Sequence, residues 1–309
     1  MNPREHQTTR SGSTSPRIHG DVVWTPADEI RRSISTSVSE ALEKRELGYG
    51  VRRAVERIVG LGGYRHELIE SAPFDALAMW SGCGDPLAWC DLSPGQSVLE
   101  LGCGAGLDLV LAARRVAPDG FVMGVDMNED ACLRALSSVK ADGLRHAEVR
   151  QGLAEELATR VASVDVVISN GVLSLSPEKG TVLAAARQAL APGGWFVAAE
   201  VALEVDLPPW LEMSRGLRDV GITGAAGVDD YLELLTEAGF EQVEAAHKAV
   251  LEPQQLEDLI DRGMAGLEVA GCSASGAIMG SEVAALLSGT VAVVTLRARA
   301  PASQAAATA

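Results

Sequence analysis

Short apolar runs alternate with amphipathic stretches through most of this chain. Ser97–Leu101, Phe121–Asp126, Glu148–Gln151, Val164–Ser169, Trp195–Glu200, Val243–Val250 and Thr290–Arg299 read as strands. Leu107–Val116, Glu129–Asp142, Pro177–Leu190 and Val228–Ala238 carry their apolar residues at helical spacing. Strands that alternate with helices build right-handed βαβ units. The expected fold is therefore α/β: a doubly wound, mostly parallel seven-stranded sheet of the Rossmann-like kind.

The flanking segments read differently. Residues 1–40 are rich in Ser, Thr, Arg and Pro without a steady period, and are expected to form a flexible arm in which Val22-Val23-Trp24 docks locally. Residues 41–90 form an N-terminal helical lid, with Val51, Val55, Ile58 and Val59 on one face and a second short helix around Glu67–Trp80. The main domain spans 91–300, with a helical insertion at 253–289 before the last strand. Residues 301–309 are a disordered tail.

Composition narrows the partners. Apolar residues make up 47% of the chain and aromatics 4%, so Ala, Val and Leu must build the core. A net charge of -16 gives no counterion-release gain on nucleic acid and no polybasic membrane anchor. The five cysteines, Cys83, Cys90, Cys103, Cys132 and Cys272, match no zinc spacing, so no metal site is expected. With no secretory signal or membrane-length apolar run, a cytoplasmic protein is expected. Homodimerisation through the insertion is a further expectation.

The chemistry concentrates in Val98-Leu99-Glu100-Leu101-Gly102-Cys103-Gly104-Ala105-Gly106, where a strand runs into glycines and a helix follows. In open α/β sheets nucleotides bind at this edge. Asp126 ends the next strand, where a carboxylate can accept both ribose hydroxyls of an adenosine. A dinucleotide site shares that geometry, but Leu107 stands where its third glycine belongs. Glu100 would repel a pyrophosphate and attract a sulfonium or an α-ammonium group. The cofactor expected is S-adenosylmethionine (SAM).

Gly82-Cys83-Gly84-Asp85-Pro86, Gly104-Ala105-Gly106-Leu107-Asp108, Gly124-Val125-Asp126-Met127 and Ser169-Asn170-Gly171-Val172-Leu173-Ser174-Leu175-Ser176-Pro177-Glu178-Lys179 add specificity. With these pieces the chain resembles class I SAM-dependent methyltransferases of the ubiquinone/menaquinone-type branch, and among them arsenite methyltransferases. The resemblance implies that Glu100 and Gly102 face the methionine end of SAM, with Cys103, Gly104 and Gly106 also binding the cofactor. It implies Asp126 on the ribose, Met127, Leu153 and Ala154 around the adenine, and Asn170 beside the cofactor. Arsenite methyltransferases bind arsenic through thiolates, which suit a soft metalloid. Of three such cysteines only Cys83 is present, and Gly171 and Gly221 occupy the other two places. Glycine there is expected to open room for a small organic acceptor, as in secondary-metabolite tailoring.

The candidate acceptor-site residues are Tyr64, Asn170, Gly171, Ser174 and Trp210, with Arg65, Glu204 and Asp206 nearby. His66 and Glu200 are the candidate catalytic groups, while His146 and His247 read as surface positions. Methyl addition coupled to ring closure, arsenite methylation and non-catalytic SAM binding stay open as alternatives.

Overall fold

A computed structural model of the protein describes residues 17–19, 22–24, 26–45, 62–157, 163–263 and 280–302. Two short strands, β1 (Arg17–His19) and β2 (Val22–Trp24), pair antiparallel and lead into helix α1 (Pro26–Arg45). The expected flexible arm thus contains a hairpin and most of a helix. The stripe at Val51–Val59, the thiol of Cys272 and the tail from 303 onward lie outside the described residues. Two short helices, α2 (His66–Ser71) and α3 (Phe74–Ala78), stand where one was expected, because Pro73 starts the second.

The sheet then assembles from β3 (Ser97–Leu101), β4 (Phe121–Asp126), β5 (Ala147–Gln151), β6 (Val164–Asn170), β7 (Leu190–Leu203), the two-residue β8 (Ala226–Gly227), β9 (Glu241–Val250) and β10 (Val291–Arg299). The order across the main path is β5-β4-β3-β6-β7-β10-β9, with β8 beside β7. β10 runs antiparallel to both β7 and β9, and the other pairs are parallel. The seven-stranded, mostly parallel sheet is therefore as expected. Its central strand β3 buries Val98 on one face and Leu99 and Leu101 on the other, which is why it reads as an unbroken apolar run.

Helices α4 (Leu107–Val116) and α5 (Glu129–Ala141) cover one face of the sheet. Leu109, Val110, Ala113 and Val116 of α4 pack there with Val98, Val166 and Val197. α6 (Ala154–Leu157) is one turn at the sheet's rim. α7 (Lys179–Ala189) and α10 (Val228–Glu237) cover the other face, where Leu183, Tyr231 and Leu235 pack on Phe196 and Leu296. A third cluster joins the end of β7 to α8 (Pro209–Glu212), α9 (Arg215–Asp219), α11 (Pro253–Gly263) and α12 (Gly280–Leu286). The last two are the described parts of the insertion. Among the described residues no helix is long and apolar enough to cross a membrane.

Candidate cofactor and acceptor site

The carboxyl ends of β3, β4 and β6 open onto one cavity. Past β3 the chain turns sharply, and the amides of Gly102 and Cys103 both donate to Val125 O of β4, at 2.8 and 3.0 Å. Gly102 has φ +69°, and a Cβ there would sit 2.2 Å from Val172 Cγ2. Gly106 has φ +87°, and a Cβ there would press on Ala135 Cα of α5 at 3.1 Å. Only glycine meets both demands, the left-handed backbone and the close approach. Asp126 closes the turn: Oδ2 accepts from Gly104 N at 2.9 Å and Oδ1 from Asn128 N at 2.8 Å. Each oxygen keeps a lone pair for a hydroxyl.

Of the predicted cofactor set, Gly102, Gly104, Asp126, Met127, Leu153, Ala154 and Asn170 line this cavity. Cys103, Gly106 and Glu100 stand behind its wall. Cys103 is buried, and a Cβ on Gly124 would meet its own Cβ at 2.8 Å, so this thiol is packing.

Glu100 belongs to a set of buried acids. It is 2% exposed, and no protein group donates to its Oε2. Burial, with Asp108 and Asp126 nearby, pushes its carboxyl well above the usual range. Asp108 is also enclosed, and burial raises it to about 7 against the hydrogen bonds of Asn170 and Tyr64. Burial also raises Asp85 and Asp126. Asp126 lines the cavity and the other three acids stand behind it, a surround that suits a cationic ligand better than a pyrophosphate. The residues present therefore fit SAM: Asp126 for the ribose, Met127, Leu153 and Ala154 for the adenine, and the glycine turn above Glu100 for the charged end.

The acceptor-side expectations fare less well. Tyr64 is buried, donates to Asp108 Oδ1 at 2.7 Å and stacks edge-on against Trp80. It braces the acid cluster and does not face the cavity. The amide of Asn170 is fully engaged: Nδ2 donates to Gly84 O (2.7 Å) and Asp108 Oδ2 (2.9 Å), with Tyr64 Oη at 3.0 Å. Its Oδ1 accepts from Cys83 N (2.9 Å) and Gly84 N (3.2 Å). A Cβ on Gly82 would strike that amide at 2.5 Å. Asn170 thus staples the 82–84 loop to β6 and has no donor left for a substrate.

Neither proposed catalytic group reaches the cavity. His66 lies on α2 with its side chain 71% exposed, 3.2 Å from Glu70, because α2 turns this face to solvent. Glu200 is wholly buried, and its two oxygens accept from Leu173 N and Ser174 N, each at 3.0 Å. It holds the turn after β6 in place. Ser174 is buried in that turn, and Trp210 is exposed on α8. Glu204 pairs with Lys248 at 2.9 Å, and Asp206 is exposed. Arg65 is exposed too. His146 bonds Ala113 O at 2.9 Å, and His247 stacks on Trp89.

The two glycines that replace thiols differ. Gly171 lines the cavity, and a Cβ there would meet nothing within 4 Å. A Cβ on Gly221 would meet Ser174 Oγ at 2.7 Å. The expected extra room exists at Gly171 and is absent at Gly221.

Helix α1 supplies a wall that sequence reasoning missed: Arg31, Ile34 and Val38 line the cavity. Arg31 reaches Glu155 Oε1 at 2.9 Å and also pairs with Glu178, clasping α1 to α6 and to the start of α7. Asn128 Nδ2 reaches Ser35 O and Ser39 Oγ, each at 2.9 Å. A signal was present. Thr25-Pro26 followed by Asp28-Glu29 is a helix start, and Ile30, Ile34, Val38 and Leu42 recur every fourth residue. The serines between them masked that stripe.

Residues 92–239 match the family model described as a methyltransferase domain. An arsenite methyltransferase of Halobacterium salinarum is 40% identical over 174 residues, which is 56% of this chain and 44% of that protein. Nocamycin O-methyltransferase of Saccharothrix syringae is 33% identical over 119 residues, 38% of this chain and 41% of that protein. A solved arsenic(III) S-adenosylmethionine methyltransferase from Chlamydomonas reinhardtii superposes with a TM-score of 0.57 at 26% identity, covering 75% of this chain and 71% of that one. The chain spans about half the length of the first curated relatives it matches, 44% and 49%. The match, the strand order and the glycine turn agree: residues 92–239 have the Rossmann-like fold and the SAM-type cofactor site of a methyltransferase domain.

Proposed function

We propose that the protein transfers the methyl group of SAM to a small organic acceptor, in the manner of a tailoring enzyme. The observation that carries this reading is the open space beside Gly171 on the cavity wall, where a thiolate-bearing residue would serve arsenic. Cys83 is the one remaining thiol of that set; it is buried, with Sγ 3.7 Å from Asn170 Oδ1. One enclosed sulfur and two glycines are a poor ligand set for trivalent arsenic. The similarity to nocamycin O-methyltransferase supports an organic acceptor.

When bound, SAM supplies a methyl group already activated by a positive sulfur. The chain's own residues position and enclose. Asp126 orients the ribose, and the glycine turn lets the ligand approach the backbone. Ile34 and Val38 of α1 roof the cavity with apolar surface and exclude water. No described lining residue is a His, Tyr or Lys, so alignment of acceptor and methyl is the main contribution.

The test is formation of S-adenosylhomocysteine with a panel of phenols, amines, thiols and arsenite. Turnover of an organic acceptor is expected; turnover of arsenite alone would sink the reading. Gly171→Cys should lower kcat/KM for that acceptor by roughly tenfold or more, since a group the size of a methylene is worth about 1–3 kcal/mol in a fitted pocket and a side chain there also strains the left-handed backbone (φ +78°).

A further inference from the structure

Glu100 differs from the other buried acids in what surrounds it. Asp126 has two backbone donors, and Asp108 has Tyr64 and Asn170. Glu100 Oε2 is sealed from solvent and receives no protein donor. Its register partners, Gly124 on β4 and Ile168 on β6, carry no charge. Among the described residues, the charged groups that act on it are Asp108 from α4 and Asp126 from β4, both acidic. Arg115 acts on Asp108 and Asp85, and Cys103, the remaining titratable neighbour, is a thiol raised by burial. An ionised Glu100 would be an unpaired buried charge beside two more acids, so its sealed, donorless site favours the protonated form until a cation arrives.

We propose that SAM binding is coupled to proton release from Glu100: the cationic end of the ligand settles against the cluster, the carboxyl ionises, and its proton passes to solvent. The inference rests on the SAM reading above and concerns how that site takes a cation. Arg115 offsets charge at Asp108 and Asp85, whereas a protonated Glu100 adds none to the acids around it. The incoming positive charge then replaces that proton. A pairing of this kind favours the cation over an uncharged analogue, because only a cation compensates the carboxylate it creates.

The linkage has a fixed sign. The pKa is high in the free protein and lower in the complex, so affinity for SAM rises with pH while the free-state proton must be removed. Below the titration of the ligand's own α-amino group, the rise should approach about tenfold per pH unit for one proton released.

Titration calorimetry of the full chain with SAM at about pH 7, in phosphate and in Tris, reads the effect directly. The expected result is a binding enthalpy that depends on buffer ionisation enthalpy with a slope of about one proton released. S-adenosylhomocysteine keeps the ammonium and lacks the sulfonium. Equal release with both ligands supports the proposal with the ammonium as partner, and release with SAM alone supports it with the sulfonium. Glu100→Gln should still bind SAM, more weakly, with the buffer dependence gone. A zero slope in the wild type, or an unchanged slope in Glu100→Gln, overturns the proposal. Should that variant not bind, the wild type still decides. Binding must remove an infrared band of a protonated carboxyl that shifts with isotopically labelled glutamate. A band that moves only with labelled aspartate overturns it, and a Glu200→Gln control separates the other buried glutamate. Absence of any heat or ligand retention with SAM would instead refute the cofactor reading itself.

Discussion

Glu100 on β3 and Glu200 on β7 are both buried glutamates beneath the same cavity, and the chain treats them in opposite ways. Glu200 receives two backbone amides and has Lys179 nearby, so burial lifts it only to about 7. Glu100 has two acids for neighbours and, among the described residues, one oxygen without a donor, and burial pushes its carboxyl well above the usual range. Burial is common to both; the difference lies in whether the protein itself supplies the compensating groups. Where it does, the carboxylate shapes a turn. Where it does not, the compensation is left to the ligand.

The largest expected effect tests the ligand side of this contrast. Asp126→Ala removes the acceptor expected to hold both ribose hydroxyls and strips Gly104 N and Asn128 N of their partner. Two hydrogen bonds to a charged group amount to about 3 kcal/mol or more, so SAM affinity should fall roughly a hundredfold, read by calorimetry. Retained affinity would remove Asp126 from the site.

Glu200→Ala tests the structural side. Two enclosed amides lose their acceptor, and the fold should lose about 2 kcal/mol or more in denaturant titration. The pH dependence sharpens the point. The folded protein binds the Glu200 proton more tightly than the unfolded chain, so this group's contribution is most favourable below its ordinary value of 4.5 and is lost as pH rises towards about 7. Thermal unfolding of Glu200→Gln should lack that part of the decline, and an identical slope in the two proteins would show that Glu200 does not titrate in this range.

Arg31→Ala gives a smaller effect. It opens a clasp of half-exposed ion pairs, each worth about 1 kcal/mol or less. SAM should dissociate a few-fold faster in a stopped-flow chase, with little change in unfolding temperature. The smallest effect belongs to His66→Ala, an exposed position. Stability should stay within about 0.5 kcal/mol and turnover should match the wild type.

The mostly parallel α/β sheet and the glycine turn were legible along the chain because they depend on local rules. A parallel strand buried on both faces must be apolar, and a turn that lies against Val172 and Ala135 must be glycine. The sign of the ligand's charge was also readable, since Glu100 precedes the turn directly. Polar residues at strand ends were read as substrate contacts, and here the tertiary structure decided otherwise. Tyr64, Asp108 and Asn170 are up to 106 residues apart in the chain, yet they meet and consume one another's hydrogen-bonding capacity. The docking of α1 over the cavity depends likewise on distant partners: Arg31 finds Glu155 and Glu178 across more than a hundred residues. A sequence states which groups can donate, accept or carry charge. Only the folded chain determines which of them are already satisfied, because satisfaction depends on neighbours brought together from distant segments.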